Sequence, residues 1–117
     1  MAELRKMNWI NLTDLGQIEE IIESSKQEPI LIFKHSTRCS ISSTALNRLE
    51  RAWNLDQAKA YYLDLIAFRP ISAALAEQFE VEHQSPQVLL IKEGKCIYHE
   101  SHWDISFDEI QPLMQAS

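Results

Sequence analysis

Apolar and polar residues along the chain follow two periods, which predict an alternation of strands and helices. Residues 30–33 are apolar on both faces, which is typical of a central buried strand. Further strands are predicted at residues 7–12, 60–63, 87–91 and 96–99. Four helices are predicted from apolar stripes, namely Leu15, Ile18, Ile21 and Ile22, then Ile41, Ala45, Leu46, Leu49 and Trp53, then Ile71, Ala74, Leu75 and Phe79, and finally Phe107, Ile110, Leu113 and Met114.

The ends of these helices carry recognisable signals. Thr13 and Asp14 offer capping oxygens to the first helix, which should end near Lys26. Pro70 suits the first turn of the third helix, and Ser106 is a candidate cap for the fourth. Residues 93–95 predict a tight hairpin loop between the last two strands.

The order β-α-β-α-β-α-β-β-α predicts an α/β fold. Crossover helices imply parallel strands in the first part, and the closing hairpin adds antiparallel strands. A central mixed sheet of about five strands, with four helices on both faces, would bury every apolar stripe. The length of 117 residues suits one domain spanning residues 1–117.

Composition narrows the class of function. The net charge is −6 and the basic residues are scattered, so we expect no nucleic-acid or membrane partner. Only two glycines occur, which excludes glycine-rich phosphate loops. No apolar stretch reaches the length of a spanning helix, and the N-terminus lacks a signal-peptide pattern, so a cytoplasmic location is expected. No Cys/His cluster has zinc-ligand spacing, and we expect neither a metal nor a bound cofactor.

The stretch KHSTRCSIS, residues 34–42, places Cys39 between a buried strand and a helix. At that edge of an open α/β sheet the helix start supplies unpaired N–H groups and partial positive charge. Both favour a thiolate over a thiol. Ser42 could direct its hydroxyl back to the sulfur, and Lys34, His35 and Arg38 add positive charge nearby.

The spacing of the cysteines predicts a monothiol site. A dithiol reductase has Cys-x-x-Cys, whereas here the stretch reads Cys39-Ser40-Ile41-Ser42, so Cys39 must be released by an external thiol. Cys96 follows the hairpin and should lie roughly 15 Å from the reactive edge. We therefore interpret Cys96 as a strand residue, while the same strand brings Ser101, His102 and Trp103 back to that edge.

A strand before the cysteine, the C-x-x-S spacing and Ser85-Pro86 before a strand together resemble the thioredoxin fold. Members carry a cis-proline beside the thiol, and Pro86 occupies the matching place. Within that fold, FKHSTRCSIS and SPQVLLIKEGKCIYHESHWDIS resemble the YtxJ family, the monothiol bacilliredoxins of the bacillithiol system. The resemblance implies removal of bacillithiol from S-bacillithiolated proteins, with Cys39 as nucleophile. Arg38 and Ser40 depart from the usual family sequence Thr-Cys-Pro-Ile-Ser.

The candidate catalytic set is thus Cys39, Ser42 and Pro86. By resemblance to glutaredoxins, the loop after the last strand and the residues beside the proline would hold the small thiol. Ser101-His102 stands where glutaredoxins usually carry a Gly-Gly pair, which argues against simple glutathione recognition. The candidate substrate-binding residues are His35, Arg38, Ser40, Gln84, Ser85, Gln87, Ser101 and His102.

The leading hypothesis is a monothiol thiol–disulfide oxidoreductase. Its partners would be S-thiolated client proteins and a small-thiol or reductase recycling system, with bacillithiol or a similar thiol as co-substrate. One alternative is a stress-related binding module that keeps the fold without turnover, which the Ser40 replacement favours. An arsenate-reductase-like enzyme ranks last, because it needs several arginines around the thiol and only Arg38 is near in sequence.

Overall fold

The computed structural model describes residues 8–55 and 58–115. The elements follow the predicted order; the strand predicted at residues 7–12 is observed at Trp9–Asn11, and Met7 lies outside the described residues. Their bounds are β1 Trp9–Asn11, α1 Gly16–Ser24, β2 Ile30–His35, α2 Ser40–Ala52, β3 Lys59–Asp64, α3 Arg69–Phe79, β4 Gln87–Lys92, β5 Lys95–Ser101, a 3₁₀ turn His102–Asp104, and α4 Phe107–Gln115.

The five strands form one mixed sheet in the order β1-β3-β2-β4-β5. The first three of these run parallel, whereas β4 is antiparallel to β2 and β5 is antiparallel to β4. The crossover helices account for the parallel pairing of the first three strands, and the hairpin at Glu93-Gly94 accounts for the antiparallel pairing of β4 with β5. Gly94 has a positive φ of 77°, which glycine adopts at little cost. The predicted α/β class and mixed sheet are confirmed.

Each face of the sheet buries its own apolar cluster against two helices. Alternate residues of β2 point to opposite faces, so Leu31 and Phe33 belong to one cluster and Ile30 and Ile32 to the other. The first cluster packs against α2 and α4, and the second against α1 and α3. Because β2 and β3 are parallel, α2 and α3, which follow them, both begin at the same edge of the sheet.

Strand β2 is two residues longer than the apolar run predicts. It continues through Lys34 and His35, because β3 pairs with both residues and β4 pairs with Lys34. Every residue of β2 is buried as a result. The added residues bring two titratable side chains into the interior at the end of the strand, one on each face.

The starts of α1 and α4 differ in how they agree with the predicted caps. Neither Thr13 nor Asp14 caps α1 through its side chain; instead the Gln17 Oε1 accepts hydrogen bonds from both of their backbone N–H groups, at 2.8 and 3.0 Å. Helix α4 does begin directly after Ser106, and the Ser106 carbonyl accepts from Glu109 N–H at 3.2 Å. Among the described helices, none combines the length and hydropathy that crossing a membrane requires.

Candidate functional site

The register of the sheet gathers four chain segments at one edge. Lys34 of β2 lies opposite Gln87 of β4, and Gln87 lies opposite Ser101 of β5. The Ser85–Pro86 peptide bond just before β4 is cis, and the Pro86 carbonyl accepts a hydrogen bond from His102 N–H at 3.0 Å. We call this the reactive edge, defined by the ends of β2 and β5, the start of β4 and the start of α2.

Cys39 occupies the N-cap position of α2, with an extended backbone. Its N–H donates to the Ser36 carbonyl at 3.2 Å, and its carbonyl accepts from Ser43 N–H at 3.1 Å. The side chain is half-buried and the thiol is free. The sulfur therefore lies at the open end of a helix of 13 residues, where the unpaired N–H groups of the first turn favour negative charge.

Ser42 does not direct its hydroxyl to the sulfur, which corrects that prediction. Its Oγ is fully buried, accepts a hydrogen bond from Ser36 N–H at 3.0 Å and lies 2.7 Å from His35 Nδ1. The first turn of α2 packs against the end of β2, so the Ser42 hydroxyl forms its hydrogen bond with His35 and not with Cys39. Ser42 thus connects α2 to the loop that carries Cys39.

His35 is 5% exposed and cannot serve as the predicted surface contact for a substrate. The continuation of β2 pairs it with Asp64 and packs its ring against Phe33 and Tyr62. Burial lowers the pKa of His35, while the negative charges of Asp64 and Glu50 act in the opposite direction. The neutral ring can accept the Ser42 proton at Nδ1, which makes His35 part of the support beneath the thiol.

Lys34 and Gln87 form a buried pair that the sequence pattern did not predict. Lys34 is 0% exposed and Gln87 is 1% exposed, and Lys34 Nζ donates to Gln87 Oε1 at 2.9 Å. The Gln87 amide also donates to the Glu82 carbonyl at 3.1 Å and accepts from Gln84 N–H at 3.4 Å. Gln87 therefore acts from inside the protein, by holding the loop before Pro86, and its predicted contact with substrate is corrected.

The other candidate residues lie around the reactive edge. Arg38, Ser40 and His102 are exposed, and Gln84, Ser85 and Ser101 are half-buried. The Ser85 Oγ is buried and forms no hydrogen bond with any described residue. A buried hydroxyl without a partner is costly, so this atom has donor capacity available beside Pro86.

Cys96 lies at the far end of the sheet from Cys39. It is paired with Ile91, four residues along β4 from Gln87, and this separation corresponds to about 13 Å. Its Sγ donates to the Tyr98 carbonyl at 3.3 Å, and burial raises the pKa of its thiol. Burial therefore favours the protonated, unreactive form of this thiol. Within residues 8–55 and 58–115, no group of three or more His, Cys, Asp or Glu side chains is arranged to hold a metal.

Ser42→Ala separates a supporting role from a role at the sulfur. We expect this variant to lose about 1–3 kcal/mol of unfolding free energy, because Ser36 N–H and His35 lose a buried partner. Alkylation of Cys39 should slow only a few-fold. Urea unfolding and iodoacetamide kinetics measure the two effects, with the neighbouring exposed Ser43→Ala as control. Slow alkylation at unchanged stability would contradict the structural role.

The comparisons with known proteins agree with this geometry. The profile of the family "Monothiol bacilliredoxin BrxC" matches residues 10–110. A solved thioredoxin-fold protein described as a candidate oxidoreductase is 28% identical, with a TM-score of 0.78 over 88% of this chain and 90% of that one. Thioredoxin f from spinach chloroplast is 12% identical (TM-score 0.67, 98% and 96% covered), and Malassezia sympodialis thioredoxin is 14% identical (0.71, 97% and 93%).

The last two similarities, at low identity, establish the fold alone, whereas the family match covers most of the chain and includes the whole reactive edge. The family match and the 28% identical protein support a thiol redox role for this chain. Cys39 at the start of α2 is followed by Ser42 and not by a second cysteine three residues later, which is consistent with a monothiol family. The chain belongs to the monothiol bacilliredoxin BrxC family.

Proposed function

We propose that the protein is a thiol–disulfide oxidoreductase that removes a bacillithiol-type small thiol from protein mixed disulfides. The observation that carries this proposal is the free, half-buried Cys39 at the open N-terminus of α2, at the same sheet edge as the cis Ser85–Pro86 bond, with the other cysteine at the far end of the sheet. A thiol in this setting can be loaded and unloaded repeatedly, because a stabilised thiolate is a good leaving group.

The reaction has two balanced exchange steps. First, the Cys39 thiolate attacks the small-thiol sulfur of the mixed disulfide; the new disulfide joins Cys39 to the small thiol, and the client leaves as a thiolate. Second, a further small thiol, as its thiolate, attacks the sulfur of the bound small thiol. This step releases the Cys39 thiolate and a symmetrical small-thiol disulfide, whose reduction falls to a separate recycling system. A pool of reduced small thiol, as in the cytoplasm, is therefore required.

The residues of the reactive edge divide into two groups in this proposal. The first group is at least partly accessible to solvent and is proposed to contact the small thiol or the client; it comprises Arg38, Ser40, Gln84, Ser85, Ser101 and His102. Pro86 shapes the surface beside the sulfur. Ser42, His35 and Gln87 hold this surface from beneath through buried hydrogen bonds.

A transfer assay tests the proposed specificity. A client protein carrying one S-bacillithiolated cysteine is mixed with the protein and excess bacillithiol, and the recovery of the client thiol is followed. We expect faster recovery than with the same client carrying glutathione, and no change for Cys96→Ser. Equal rates for both adducts would refute the bacillithiol preference. Client capture by Cys39→Ser without any transfer by the wild type would favour the binding module instead.

A further inference from the structure

Three basic side chains lie on the α3 side of the reactive edge. Lys34 points to the sheet face that packs against α1 and α3, Arg69 is the first residue of α3, and His83 lies in the loop before Ser85-Pro86. Contacts place them near one another, because His83 lies beside Ser72, three residues after Arg69 on α3, and Lys34 is bonded to Gln87, whose amide holds the Glu82 carbonyl next to His83. We call Lys34, Arg69 and His83 the cationic patch.

The patch is attached to the proline loop at two points. Lys34 Nζ donates to Gln87 Oε1, whose amide holds the Glu82 carbonyl, and His83 Nδ1 lies 3.2 Å from Ser72 Oγ of α3. The loop is therefore fixed both to β2 and to α3. These bonds leave the Arg69 guanidinium and the exposed side of His83 facing solvent.

No carboxylate among the described residues forms an ion pair with the patch. The ion pairs of residues 8–55 and 58–115 are Lys26–Glu23 and Lys59–Glu28. The Asp64 carboxylate is occupied at the end of β3, where it accepts from Ile66 and Ala67 N–H at 3.1 and 3.2 Å. Glu82 is exposed beside His83 and contributes only its carbonyl.

A buried ammonium whose partner is a neutral amide is unusual in proteins, because burying the charge costs several kcal/mol of desolvation. An apolar residue at the same position would cost less. Its charge is also screened less than that of a surface lysine. Lys34 therefore holds a positive charge beneath a surface where the Arg69 guanidinium and an N–H of the neutral His83 ring can bind an anion directly. Arg69 in particular can form paired hydrogen bonds with a carboxylate.

We propose that the cationic patch binds a carboxylate of the small thiol while that thiol is linked to Cys39. The inference deepens the proposed function, on which it rests, by defining the substrate class as low-molecular-weight thiols that bear a carboxylate. Arg69 and His83 make the contacts, and Lys34 is a positioning residue that holds the loop and supplies charge from beneath. Client residues are not required for this contact.

A matched pair of substrates tests the assignment. One model peptide is prepared as its mixed disulfide with glutathione and another with glutathione diester, in which both carboxylates are masked. We expect the wild type to prefer glutathione by about tenfold in kcat/KM, as one charge-assisted contact provides. In Arg69→Gln/His83→Gln this ratio should fall close to one, mainly through KM.

Two further variants control the result. Gln87→Glu retains an acceptor for Lys34, neutralises its charge and removes the amide that holds the Glu82 carbonyl, so it should lower the same ratio, whereas Lys95→Gln, an exposed change at the far end of β5, should not. A wild-type ratio in the double variant would overturn the inference. Exchange of the same peptide carrying bacillithiol reports the chemistry of Cys39, so its absence would instead overturn the proposed function.

Binding without exchange provides an independent readout. S-methylglutathione carries the carboxylates but cannot exchange disulfides. We expect it to shift the His83 ring signals in NMR spectra of the wild type and to lose affinity about tenfold in Arg69→Gln. Unperturbed His83 signals at millimolar S-methylglutathione would overturn the assignment even if Cys39 is active.

Discussion

Cys39→Ser is expected to reduce thiol transfer to the uncatalysed background, a loss of about a thousandfold or more. Serine replaces one atom and preserves the N-cap position of α2. Its hydroxyl, however, does not ionise near neutral pH and cannot form a disulfide with the small thiol. The fold should remain intact, because serine is a favourable N-cap residue.

The comparison with Cys96→Ser makes this result specific. Cys96 lies on β5, bonded to the Tyr98 carbonyl and remote from the reactive edge, so its replacement should leave kcat/KM within about twofold. Transfer rates with a fluorescent mixed-disulfide peptide, together with circular dichroism spectra, measure both effects. Persistent turnover in Cys39→Ser, or its loss in Cys96→Ser, would require a different nucleophile.

The second large effect is a gain of stability in Lys34→Met. Desolvation lowers the pKa of the buried Lys34 from 10.5 to about 8. At about 1.4 kcal/mol per pH unit, this difference corresponds to about 3 kcal/mol of penalty for the charged form. Methionine has a similar length and no charge. After about 1 kcal/mol for the lost bond to Gln87, we expect a net gain of about 2 kcal/mol at pH 7.

The pH dependence identifies the origin of this gain. Between pH 8 and 10.5 the unfolded wild type keeps the Lys34 proton while the folded protein has lost it. The contribution of Lys34 to the unfolding free energy therefore rises with pH across this window. The advantage of Lys34→Met should shrink above pH 8 and reverse near pH 10.5. Comparing the two proteins cancels the titration of the tyrosines, whose pKa values are raised.

Urea unfolding at pH 7 and near pH 10.5 provides the test. Lys95→Met serves as the control, because Lys95 is exposed at the start of β5 and should give little change at either pH. The stabilised Lys34→Met is also expected to lose discrimination for carboxylate-bearing thiols. A destabilised variant at pH 7 would mean that the Gln87 bond outweighs the cost of burying the charge.

Much of the fold follows from local sequence. The apolar runs and stripes predict the element order and a sheet with helices on both faces, as the structure has them. Cys39 is recognisable because a buried strand precedes it and a helix follows. These features depend on residues close together in the chain, where spacing alone is informative.

The interior of the reactive edge depends instead on partners far away in sequence. Lys34 and His35 look like the polar end of an apolar run, and only pairing with β3 and β4 extends β2 through them. The hydroxyl of Ser42 could serve the sulfur or His35, and the packing of α2 on β2 decides in favour of His35. Gln87 resembles a strand-end residue open to ligands until Lys34 is placed opposite it.

The proximity of Arg69 to His83 has the same origin. Helix α3 separates them in the chain. The loop after α3 leads back to the start of the helix and brings His83 to Ser72, in the first turn after Arg69. The sequence does contain one signal for Lys34, because this lysine directly follows four consecutive apolar residues. A basic residue in that position is a candidate for a buried charge.

The central claim is that one sulfur, at Cys39, carries the small thiol and no second cysteine displaces it. Intact-protein mass spectrometry after mixing with an S-thiolated client, without added reductant, tests this most directly. We expect one adduct per chain, with the mass of the small thiol, mapped by peptide analysis to Cys39. A chain that has lost two hydrogens through a Cys39–Cys96 disulfide, or an adduct on Cys96, would contradict it.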